Sequence, residues 1–96
     1  MTMKPVIYRL NIFSPDDVYD CLVSFEATTP FVGMFKGALL NPSFWPEVYE
    51  REDLKDKLLK IVNLEHGIET CDDHILQAIG MFTKVVENTV ESRVHG

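Results

Sequence analysis

Two dense apolar runs, residues 58–69 and 74–85, flank the short polar stretch Thr70-Cys71-Asp72-Asp73. A polar stretch this short lets the two runs pair as a self-consistent antiparallel hairpin. With a four-residue loop Glu69 faces His74, so Ile68 faces Ile75, His66 faces Gln77, Leu64 faces Ile79 and Val62 faces Met81. All of these fall on one side, giving an apolar sheet face interrupted by His66 and Gln77. The second run also admits a helix, because Ile75, Ala78, Ile79, Phe82, Val85 and Val86 recur at helical spacing behind Asp72 or Asp73 as a cap.

Residues 5–13 alternate, with Val6, Tyr8, Leu10 and Ile12 on one side and Ile7, Arg9, Asn11 and Phe13 on the other. Ser14-Pro15-Asp16-Asp17 then suits either a type I turn or a helix start. Beyond it Tyr19, Cys21, Val23 and Phe25 alternate with Asp20, Leu22, Ser24 and Glu26, which favours a second strand and a hairpin. Pro30 ends that strand, having no amide hydrogen to donate. Gly33, Gly37, Pro42 and Pro46 break the next segment into turns around a short strand near Ala38 to Leu40, with Phe44 and Trp45 closing one end of the core. Residues 47–57 are the most polar stretch and read as a surface loop or one or two helical turns.

The expected architecture is mainly β: a small, partly open antiparallel barrel or curved sheet of about five strands. An α+β arrangement with helices near residues 15–26 and 73–88 is the alternative. At 96 residues the chain holds one domain, expected over residues 1–88, with a frayed tail over 89–96. A domain this small buries a limited share of its surface, which makes self-association a natural source of stability.

Fifteen acidic against nine basic residues give a net charge of -6, which repels a phosphate backbone and argues against direct nucleic-acid binding. No apolar stretch approaches the length that spans a bilayer, and the first residues lack a signal-peptide pattern, so a cytoplasmic protein without a membrane association is expected. Cys21 and Cys71 have no CxxC spacing and read as reduced thiols, Cys21 as a small core residue.

His66 with Gln77 is the sharpest chemical feature, because an imidazole and an amide on an apolar face need hydrogen-bond partners. They form either a satisfied core pair or, with Trp45, a ligand pocket. His66, Cys71, Asp72 and His74 have metal-ligand chemistry, yet His66 and His74 fall on opposite faces of the hairpin, so no metal or other cofactor is expected. No phosphate-binding glycine loop or nucleophile signature occurs, which leaves an enzyme unsupported. The leading expectation is therefore a non-catalytic module that binds a protein partner or itself, through an edge strand or an aromatic patch of Phe31, Phe35, Phe44 and Trp45. A small-molecule binder or minimal enzyme using His66, Gln77 and Trp45 is the alternative.

Residues 25–31, Phe-Glu-Ala-Thr-Thr-Pro-Phe, are followed by Gly37, by Leu40-Asn41-Pro42-Ser43-Phe44-Trp45 and by Val62-Asn63-Leu64-Glu65-His66. This order of Thr-Pro-Phe, glycine turn, tryptophan and histidine-bearing strand resembles a pattern in short uncharacterised bacterial proteins. The resemblance implies a small β-rich fold and no activity. Ala38 stands after Gly37 where that pattern often has an acid.

Overall fold

The structure, a computed structural model, describes residues 3–95. Five strands, β1 (Val6–Ser14), β2 (Asp17–Ala27), β3 (Leu39–Leu40), β4 (Lys57–Thr70) and β5 (Ile75–Glu87), form one sheet in the order β2-β1-β5-β4-β3. The fold is mainly β, and the sheet curls into an open half-barrel. Residues 15–26 and 73–88 contain no helix. The tail beyond Asn88, expected to fray, carries the short helix α1 (Val90–His95).

The sheet is mixed, where purely antiparallel pairing was expected. β1 pairs antiparallel with β2 and β4 pairs antiparallel with β5, as two local hairpins must, but β1 lies parallel to β5 from Val6 opposite Ile75 to Ile12 opposite Met81. Alternation within a strand fixes which face is apolar and leaves the relative direction of two hairpins open. Packing of both apolar faces against the crossover between β2 and β3 decides it: Phe31 and Met34 of that segment lie on the core of Leu10, Ile12, Val23, Ile61 and Met81.

The β4–β5 hairpin is offset by two residues from the expected register. Cys71 N–H donates to the His74 carbonyl at 2.8 Å, so the loop is Asp72 and Asp73 alone. His66 consequently faces Ile79, Ile68 faces Gln77 and Leu64 faces Met81. An offset of two preserves which side chains share a face, so the apolar face survives while every pair in it changes.

Two bulges re-aim side chains. Between Ile12 and Phe13 the β1–β2 register jumps, so Val23 faces Ile12 while Cys21 faces Phe13. Adjacent Leu22 and Val23 are then both buried, whereas strict alternation placed them on opposite faces. Cys21 moves to the exposed side, a correction to its expected place in the core. A second bulge at Val62 separates Ile61, opposite Thr83, from Asn63, opposite Phe82. It lets Leu59 and Ile61 join the same interior as Leu64.

A second cluster of Leu22, Val48, Leu54 and Leu59 closes the other end of the interior. Trp45 and Leu40 pack against both clusters, and Trp45 sits between two short 3-10 turns, Pro42–Phe44 and Pro46–Val48. Its indole meets Phe25 edge to face at 5.8 Å between centroids. Phe44, expected to help close the core, is 78% exposed. A 3-10 turn places neighbouring residues about 120° apart, so Trp45 and Phe44 cannot both point inward.

Candidate functional site

The sequence-selected groups separate in space. His66 stands exposed on β4, Gln77 is half-buried on β5 opposite Ile68, and Trp45 is packed between the two core clusters. His66 and Gln77 share the inner face but are displaced by two residues in register, so they are not the directly opposed buried pair expected from a longer loop. No buried side-chain polar atom among the described residues lacks a hydrogen-bond partner.

Among the described residues no group of three or more His, Cys, Asp or Glu side chains is placed to hold a metal ion. His74 Nδ1 instead lies 2.7 Å from Asp73 Oδ1, on the opposite face from His66. That hydrogen bond, followed by a backbone hydrogen bond and the imidazole's charge, holds the Asp73 carboxyl below its ordinary pKa. Cys21 and Cys71 are free thiols, and the Cys71 carbonyl accepts from Lys4 Nζ at 2.7 Å.

A cavity of about 280 Å³ lies elsewhere, lined by Ser43, Val48, Tyr49, Leu54, Lys55 and Asp56. It includes none of His66, Gln77 and Trp45, and at this volume it falls at the small end of ligand pockets. The polar stretch that borders it is held by Arg51, whose guanidinium forks onto Asp53 at 2.9 and 2.7 Å and approaches Asp16 at 3.7 Å. The hydrogen bond from Arg51 lowers the Asp53 pKa and raises that of Arg51.

Phe31 and Trp45 of the expected aromatic patch pack on the first core cluster, while Phe35 and Phe44 are exposed. Phe35 belongs to a different exposed surface. It sits in the turn at residues 35–38, where Gly37 N–H donates to the Ile61 carbonyl at 2.8 Å and Ile61 N–H donates to Ala38 at 2.9 Å. Gly37 has φ +96°, a conformation open to glycine at little cost.

This turn and β3 cover β4 only as far as Ile61. β3 pairs through Leu39 with Lys60 and through Leu40 with Leu59, and no described strand pairs with that side of β4 over residues 62–70. The direction of the free backbone groups follows from the hairpin end. Cys71 bonds His74 within the hairpin, and Ile75 N–H turns away to the Pro5 carbonyl at 2.9 Å. Antiparallel strands alternate between bonded and non-bonded pairs, so Glu65, Gly67 and Glu69 bond across to β5. Leu64, His66, Ile68 and Thr70 then turn their N–H and C=O groups toward the open edge.

Their side chains lie on the inner face, where Ile68 is 74% exposed. The outer edge of β2 is also open, but it carries Asp17 and Asp20 beside Asp16 at the turn, charges of the kind that blunt a sheet edge. Sequence reasoning named an edge strand without locating it. The signal lay in the unequal lengths of the strands: two residues in β3 cannot cover the fourteen of β4. No helix among the described residues is long and apolar enough to cross a membrane. A comparison of the chain with protein-family models, with curated proteins and with solved structures finds no match.

Proposed function

We propose that this protein is a non-catalytic interaction module of the cytoplasm that binds a protein surface through the open half of β4 and the apolar residues beside it. The observation that carries this reading is the uncovered edge over residues 62–70, with Ile68 exposed on it and Phe35 exposed in the turn that meets Ile61 at its end. An unpaired row of backbone groups beside apolar side chains is what strand addition uses: the backbone supplies affinity and the side chains supply selectivity. The net charge of -6 favours a protein over a nucleic acid as the ligand.

The reading is tested by light scattering on the pure protein together with native mass spectrometry of the tagged chain isolated from its host. A homo-oligomer or a stoichiometric protein partner is expected, weakened when Ile68 is changed to Lys. A strict monomer that carries no partner would overturn it.

A further inference from the structure

We infer that the occupant of the β4 edge is a second copy of this chain, paired antiparallel with residues 62–70 about a twofold axis at His66. This deepens the interaction-module reading and rests on it. Three independent features of the edge select the partner and the register.

The first is length. The open edge begins after Ile61, where the turn at residues 35–38 takes over, and ends at Thr70, where the hairpin reverses. Its midpoint is His66. Self-pairing centred there uses the whole edge of both copies without overrunning β3 at one end or the loop at the other.

The second is charge. On the outer face this register sets Asn63 opposite the second copy's Glu69 and Glu65 opposite its Gly67. A shift of one step either way brings Glu65 directly opposite the second copy's Glu65 or Glu69, and like charges facing across a ladder are destabilising. On the inner face the same register sets Leu64 against the second copy's Ile68, twice by symmetry, which covers the 74% exposed Ile68. Leu64, His66 and Ile68 are the residues whose backbone groups point outward, so the pairing forms about six ladder hydrogen bonds.

The third lies at the ends. The acidic hairpin loop, Asp72 and Asp73, abuts the second copy's turn at residues 35–38, which presents exposed Lys36. The β2 edge is the poorer candidate, because it begins in the acidic run of Asp16, Asp17 and Asp20, which blunts it. The β4 pairing buries its edges isologously and closes at two copies.

The test combines oligomeric state with site-specific cross-linking. Light scattering should give a dimer for the full chain. Ile68→Lys should give a monomer with an unchanged circular dichroism spectrum, because Ile68 is exposed within one copy. His66→Pro should do the same, since the lost N–H makes no bond within one chain and proline is tolerated on such an edge. In a Cys21→Ser, Cys71→Ser background, His66→Cys should be joined into a covalent dimer by a short bis-thiol reagent, because the two copies of this residue face each other at about 5.5 Å between Cα atoms. Ile68→Cys should not, being about four residues from its own copy along the strand.

A dimer that survives both Ile68→Lys and His66→Pro, or that cross-links through Ile68→Cys rather than His66→Cys, would overturn this pairing while leaving an interaction module. A monomer that holds a different protein in fixed stoichiometry would also overturn the pairing alone. A monomer with no partner would overturn both.

Discussion

At the scale of single residues, the outer face of the sheet shows how one missing side chain shapes its neighbours. Phe13 stacks on Phe82 at 5.1 Å between ring centroids and lies over Gly80, where an added Cβ would stand 3.0 Å from Phe13 Cε2. Gly80→Val should therefore cost about 1–3 kcal/mol, as overpacking does, measured by urea unfolding. The exposed carboxylates make a different kind of prediction. Asp53 is held below its ordinary pKa first by its hydrogen bond from Arg51. Arg51→Gln should raise the Asp53 midpoint in a carbon-detected NMR titration. Because the folded value is the depressed one, the stability this pair contributes is complete above the unfolded carboxylate range and is lost as pH falls through the folded midpoint. Solvent screening keeps that contribution small at such an exposed site.

At the scale of elements, the two bulges do work that alternation alone cannot. Deleting Val62 would restore an unbroken alternation in β4 and turn either residues 57–61 or residues 63–70 to the wrong face. The variant should lose several kcal/mol and much of the hydrogen-exchange protection of β5 residues 75–82, because the interior would lose either Leu59 and Ile61 or Leu64. Much of this level was legible beforehand. The strand character of residues 5–13 and 19–26 follows from their alternation, that of residues 74–85 from their pairing with residues 58–69, and the short β3 from its flanking glycines and prolines. The register was not legible, because a loop of two or of four polar residues leaves the same side chains on the same face. Only the Cys71 to His74 hydrogen bond distinguishes them. His66 was singled out because its face is apolar, but it stands exposed there, since the crossover covers β4 only as far as Ile61.

At the scale of the whole molecule, Trp45 joins the two core clusters and makes their coupling measurable. Leu54 is fully buried in the second cluster, so Leu54→Ala should cost about 2–5 kcal/mol. If the clusters unfold as one unit, the midpoint shift seen by Trp45 fluorescence should coincide with that seen by circular dichroism. The crossover from β2 to β3 is the other device at this scale. It carries Phe31 and Met34 over the first cluster and then stops at Ile61, which covers the interior and leaves the β4 edge away from β5 without a described strand beside it over residues 62–70.

The residues alone determined that this chain makes strands, which faces are apolar, and where the chain turns, because those properties depend on a side-chain period of two and on local proline and glycine geometry. They also determined its net charge of -6. The tertiary structure decided the parallel joining of β1 to β5, the placement of Cys21 outside and Trp45 inside, and the open edge itself. Those depend on how two hairpins and a crossover share one interior, a question of long-range packing to which a local pattern carries no answer.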